Sequence, residues 1–278
     1  MRKILKMAKW GATLGDAPQS FLGAGWIPRL LGRVGDKKKR LWALRILALS
    51  PHYFFNSDDP SFRTLSEADY LEAEYCEGVI SRQRIFDKIL AQRLTTEDVV
   101  IDYGCGPGFL AKIVAESVRR VYAFDISDGA LACARVINPA PNLEYLKADE
   151  SGLASVDDSS VDAVVSFAMV QHVTDSILGK IVSIWATKLK SGGRIYVHIQ
   201  LLNEEWRAEN EWRDDTSIKG KLKFRYGLHC FGRSESAIEA MLKENGFERI
   251  EFRPMSSFLD EPRTDDVWPQ HFVSAVKL

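Results

Sequence analysis

From about residue 95 to residue 200, short apolar runs alternate with longer segments whose apolar positions recur every three to four residues. Val99-Val100-Ile101, Val121 to Ile126, Leu143 to Leu146, Ala163 to Phe167 and Ile195 to Ile199 read as strands. Phe109, Leu110, Ile113, Val114 and Val118 mark a first helix between them, and Leu131, Ala134 and Ile137 a second that Pro139 and Pro141 close. Ile177, Leu178, Ile181, Val182, Trp185 and Leu189 line a third. Ser234 is placed to cap a further helix ending at Asn245-Gly246. Arg249 to Phe252 and Phe272 to Leu278 alternate as antiparallel strands do. Upstream, Lys37 to Ser50 predicts a short helix stopped by Pro51. A helical stripe of Val79, Ile85, Phe86, Ile89 and Leu90 follows Glu67. Residues 1–35 are glycine-rich and allow only short amphipathic pieces. Apolar strands separated by helices imply an α/β fold with a parallel sheet covered on both faces.

Composition changes this picture only through charge. The 278 residues carry 37 Lys plus Arg against 38 Asp plus Glu, so a uniformly basic nucleic-acid binder is excluded. Residues 1–50 hold eleven basic and two acidic side chains, a charge of +9, and leave −10 on the remainder. A basic head on an acidic body points to an anionic partner for the head or to its packing on the body. Cys76, Cys105, Cys133 and Cys230 form no C-x-x-C pair, so neither a disulfide framework nor a metal site is expected. No apolar run reaches the length of a membrane span, and Lys6, Lys9 and Asp16 interrupt any signal-peptide core. A cytoplasmic protein, with possible peripheral membrane contact through residues 1–50, is the expectation.

The sharpest motif is Asp102-Tyr103-Gly104-Cys105-Gly106-Pro107-Gly108, between a strand and a helix. Glycines let the backbone turn tightly and approach a ligand, and the helix start offers free N–H groups. The dinucleotide fingerprint needs glycine at the position held by Phe109, and no G-K-[ST] follows, so neither dinucleotide nor P-loop chemistry is expected. Asp102 would repel a pyrophosphate and suits a ligand with an amino group. Asp125, 21 residues after Gly104 at a strand end, can accept from both hydroxyls of a ribose.

With these motifs the chain resembles the class I S-adenosylmethionine-dependent methyltransferases. The resemblance covers about residues 75–278. It rests on residues 100–108, on Asp125, on Val161-Asp162-Ala163-Val164-Val165-Ser166, on Leu189-Lys190-Ser191-Gly192-Gly193-Arg194, and on Glu244-Asn245-Gly246-Phe247. It implies a Rossmann-like, seven-stranded, mostly parallel sheet with one antiparallel strand and flanking helices. A basic helical segment, residues 1–74, precedes it as lid, anchor or acceptor-binding element. The implied activity is metal-independent methyl transfer from S-adenosylmethionine, with S-adenosylhomocysteine as product. Gly104, Cys105, Gly106 and Gly108 would wrap the amino-acid part of the cofactor and Asp102 hold its ammonium. Asp125 would bind the ribose, Ile126 pack on the adenine, and Asp149 or Glu150 accept from the adenine amino group.

Transfer to a hydroxyl needs a base, and His172 after the fourth strand is the neutral-pH candidate. No Asn-Pro-Pro-Tyr-like or Pro-Cys motif and no acidic residue at 167–173 is present, which disfavours nucleic-acid base and metal-dependent catechol chemistry. A small-molecule or lipid-linked acceptor is expected. Tyr75, Arg84, Gln171, Trp206, Tyr226 and His229 are acceptor-side candidates, the last three in an insertion at about 201–232. The alternatives are an RNA methyltransferase using the basic head and a non-catalytic S-adenosylmethionine-binding regulator.

Overall fold

The computed structural model describes residues 26–48, 62, 64–202, 207–218, 221, 230–258 and 270–278. Two short helices, α1 (Trp26–Arg33) and α2 (Asp36–Ala48), precede a long one, α3 (Glu67–Ile85). Ser66 caps α3 by accepting from the Asp69 N–H, and the helix runs into a π turn at Phe86–Leu90. The alternating units follow: β1 (Val99–Tyr103), α4 (Phe109–Ala115), β2 (Arg120–Asp125), α5 (Asp128–Ile137), β3 (Leu143–Lys147), α6 (Glu150–Ala154) and β4 (Val161–Ser166). Then come α7 (Asp175–Lys188), β5 (Leu189–Gln200), α8 (Glu209–Arg213), α9 (Glu235–Glu244), β6 (Phe247–Pro254) and β7 (Gln270–Lys277).

The strands form one sheet in the order β3-β2-β1-β4-β5-β7-β6. Neighbours from β3 to β5 pair in parallel, and β7 runs antiparallel to both β5 and β6. This is the expected seven-stranded, mostly parallel architecture. Three elements were read differently from sequence. Leu189 ends no helix but opens β5, because the helix closes at Lys188. α6 and α8, at five residues each, are too short to show a period.

Apolar side chains cover both faces. On one face α3, its π turn and α4 pack on Val100, Ala123, Val165, Tyr196 and Phe272. On the other, α7 and α9 pack on Ile101, Phe124, Val164, Ile195 and Val197. α1 and α2 form a third cluster with Leu71, Phe109, Cys133 and Ile137. Part of the basic head is therefore docked: Arg40 makes a bidentate pair with Glu72 and Arg45 with Glu67. Order reverses around β1, whose neighbours β2 and β4 lie on opposite sides. A crevice at the carboxyl ends of the strands is the consequence.

Candidate active site

The turn after β1 is pinned from beneath. The N–H groups of Gly104 and Cys105 both donate to the Phe124 carbonyl at the end of β2, at 2.8 and 2.9 Å. Gly104 and Gly108 have φ of +82° and +78°, where a side chain is strained. Space forbids one as well: a Cβ on Gly104 would lie 2.4 Å from the Met169 side chain, and one on Gly108 2.2 Å from Tyr145 Oη. A second layer holds the loop from outside. Asn138 donates to the Pro107 carbonyl, and accepts from Tyr75 on Oδ1 and from Tyr145 on its backbone carbonyl. Tyr75 lies under the Arg40 guanidinium, 4.3 Å from its ring centre. Tyr75, expected beside the acceptor, thus braces the glycine loop.

Two carboxylates face this loop. Asp125 accepts from the Gly106 and Ser127 N–H groups, each at 2.9 Å, one on each oxygen. Each oxygen keeps capacity for a further donor. Burial raises its pKa, against those backbone donors, which lower it. Asp102 is 2% exposed, and its Oδ2 has no hydrogen-bond partner. Burial first, then the charge of Asp125, push its carboxyl up to about 7, while Arg82 and the Ala111 N–H pull it back. Arg82 on α3 is the guanidinium beside this site. Arg84, expected on the acceptor side, lies two residues further along the same helix. Cys105 is buried, and burial with both carboxylates keeps its thiol protonated.

Beyond β2 the Ile126 side chain stands 53% exposed, an apolar surface beside the loop. Asp149 caps α6, accepting from the Gly152 N–H at 3.0 Å, and that bond with Ser151 Oγ lowers its pKa. Glu150 is exposed as the first residue of α6. Asp149 is therefore the better-held of the two.

On the β4 side, a short 3₁₀ turn carries Val170 to His172. Arg233, buried, anchors it by donating to the Val170 carbonyl at 3.0 Å, to the Val173 carbonyl, and to Asp175 at 2.7 Å. Gln171 is buried with Oε1 unbonded. His172 Nδ1 lies 3.8 Å from Cys230 Sγ. Sequence reasoning missed Arg82, Asn138, Arg233 and His198 of β5. For His198 a signal existed: Tyr196, His198 and Gln200 form a polar alternation inside an apolar strand. Trp206, Tyr226 and His229 lie outside the described residues.

Residues 101–197 match the family model described as a methyltransferase domain. Residues 101–197 therefore carry a methyltransferase domain. It is 35% identical over 94 residues to a probable S-adenosylmethionine-dependent methyltransferase of Mycobacterium tuberculosis, covering 34% of this chain and 33% of that protein. A ubiquinone biosynthesis O-methyltransferase of Albidiferax ferrireducens is 33% identical over 100 residues, 35% of this chain and 39% of the relative. The chain thus spans about a third of the length of these curated relatives. Among solved structures, a methyltransferase from Methanosarcina mazei shares the fold, with a TM-score of 0.52 at 21% identity, over 68% of this chain and 97% of that one. No helix among the described residues is long and apolar enough to cross a membrane.

Proposed function

We propose that the protein transfers a methyl group from S-adenosylmethionine to a small-molecule or lipid-linked acceptor. The observation that carries this is the pairing of a side-chain-free loop with two buried carboxylates at adjacent strand tips, one holding an oxygen without a partner. The donor set fits the cofactor. Asp102 would take the ammonium, the loop between Gly104 and Gly108 the amino-acid chain, Asp125 the ribose hydroxyls, and Ile126 the adenine face. When bound, the sulfonium supplies an electrophilic methyl. The chain's own part is to orient it and to exclude water. His172 on the anchored turn would take a proton from the acceptor. The ubiquinone biosynthesis O-methyltransferase relative supports transfer to an oxygen. The exposed Trp26 and Trp42, among exposed Arg29, Arg33, Lys37 and Lys38, support a lipid-linked one.

Calorimetry with S-adenosylhomocysteine tests the cofactor assignment. Asp125→Ala is expected to weaken binding by about 1–3 kcal/mol, the scale of lost hydrogen bonds to a charged group. Equal affinity of variant and wild type would remove the ribose role. Methyl-labelled donor incubated with cell extract should mark the small-molecule or lipid fraction. Label confined to RNA would overturn the acceptor class.

A further inference from the structure

The first two helices divide their cations into two groups. Between Trp26 and Ala48 stand seven basic side chains and one acidic. Three are taken up inside the chain: Arg40 by Glu72, Arg45 by Glu67 and Lys39 by Asp36. The other four, Arg29, Arg33, Lys37 and Lys38, are exposed and have no ion pair among the described residues.

Helical spacing sets these cations beside two exposed indoles. On α1, Trp26, Arg29 and Arg33 stand at i, i+3 and i+7 on one face, and Ile27 and Leu31 are buried on the other. On α2, Lys38 and Trp42 share a face with Arg45, opposite the buried Ala43, Leu44 and Leu47. Trp26 is 44% exposed and Trp42 37%. Both helices pack their apolar faces on α5, so both basic faces look away from it.

An exposed indole among cations suits two kinds of anionic surface, a nucleic acid or a bilayer. Stacking on a base needs an open ring face, and the Arg45 guanidinium lies over the Trp42 ring at 5.4 Å. A bilayer needs an apolar group at headgroup depth with cations around it that reach the phosphates, and each outward face supplies both. The rest of the chain decides in the same direction. Residues 51–278 carry −10, so a polyanion running past the head would be repelled, whereas a bilayer can touch the head alone.

We propose that the outward faces of α1 and α2 dock on the anionic surface of a lipid bilayer. Trp26 and Trp42 enter the headgroup layer, and Arg29, Arg33, Lys37 and Lys38 meet lipid phosphates. Docking requires no methyl transfer and stands apart from that reading. It takes place next to the glycine loop. Arg40 of α2 donates to the Ile137 carbonyl at 3.3 Å and lies over Tyr75, whose hydroxyl donates to Asn138, the donor to the Pro107 carbonyl. The element that meets the bilayer therefore also braces the loop.

Flotation of the full chain with vesicles, in the absence of cofactor, tests this. Binding is expected to vesicles of equimolar phosphatidylcholine and phosphatidylglycerol, and not to phosphatidylcholine alone. Salt should release the protein, since screening shortens the reach of charge from about 10 Å at 0.1 M to about 3 Å at 1 M. A cation near an anionic bilayer contributes about fivefold to partitioning, so joint Lys37→Gln and Lys38→Gln substitution should weaken binding about 20- to 30-fold. Phosphatidylglycerol brominated on its acyl chains should quench part of the tryptophan emission. Joint Trp26→Phe and Trp42→Phe substitution should remove that part. All four positions are exposed, so both variants should melt as the wild type does. Should either not fold, the lipid and salt dependence of the wild type decides the matter. Binding to neither vesicle, equal binding to both, or undiminished binding by the Gln variant overturns the proposal. Displacement from the vesicles by a short single-stranded RNA also overturns it, in favour of a nucleic-acid contact. Failure of S-adenosylhomocysteine to bind the wild type, measured separately by calorimetry, would instead overturn the methyltransferase reading.

Discussion

Replacing Asp102 by Asn removes one charge and almost no volume. The wild-type carboxyl is raised from 3.8 to about 7 by burial and by Asp125. The folded state therefore holds its proton through a window where the unfolded chain has lost it. The contribution of this carboxyl to folding stability is greatest below about pH 4 and falls as pH rises toward 7, by about 4 kcal/mol for a displacement of this size. Asp102→Asn should abolish that slope, matching wild type near pH 4 and exceeding it at pH 8. Cofactor binding runs the other way. A cation needs the ionised carboxylate, so binding must expel the Asp102 proton below pH 7. Wild-type affinity for S-adenosylhomocysteine should rise between pH 5 and 7 by up to about tenfold per pH unit, then level. The variant should bind at least about tenfold more weakly at pH 8, without that slope. Calorimetry in buffers of different ionisation enthalpy reads both the affinity and the proton. Affinity flat from pH 5 to 8 with no proton released would refute the argument, as would an Asn variant that binds as tightly as wild type.

Gly108→Ala should lower stability by about 2–4 kcal/mol, combining a left-handed φ with overlap on Tyr145. An unchanged denaturation midpoint would show that the loop adapts freely. Arg233→Met should cost about 2–4 kcal/mol, since it leaves the Val170 and Val173 carbonyls without their donor. Amide exchange should then quicken at Gln171 and His172, and protection equal to wild type would count against the anchor. His172→Ala should cut methyl incorporation into extract acceptors while S-adenosylhomocysteine affinity stays near wild type. Undiminished incorporation across pH 6–9 would remove His172 from the chemistry.

Features that depend on residues close in sequence were legible. Glycines spaced by one residue after an apolar run announce a turn, and Asp125 ends a strand whose bounds its own side chains set. The parallel character of the sheet followed from strand–helix alternation because parallel neighbours require crossovers. Features that depend on helical phase or on distant partners were not. Arg82 and Arg84 are two residues apart and point differently, yet the apolar stripe of α3 is too ragged to say which meets Asp102. Asn138 reads as a helix stop before Pro139; its side chain matters because Pro107 lies 31 residues away. Arg233 gives no local sign at all, since its partners at 170–175 are brought near only by the return of the chain after β5.

The charges at the strand tips constrain the ligand more tightly than the loop does. Asp102 and Asp125 are both buried, both raised, and each makes ionisation of the other or of its neighbours harder. Arg82 only partly offsets this, because it lowers the pKa of Asp102 without fully cancelling its burial. A ligand without a cationic group would leave two carboxylates in a dry site with one cation to share. A ligand carrying an ammonium and a sulfonium supplies the missing positive charge, and its hydroxyls meet the spare lone pairs of Asp125. Binding then offsets the cost of burying the two carboxylates, and the affinity depends on the ligand bringing an ammonium group to Asp102.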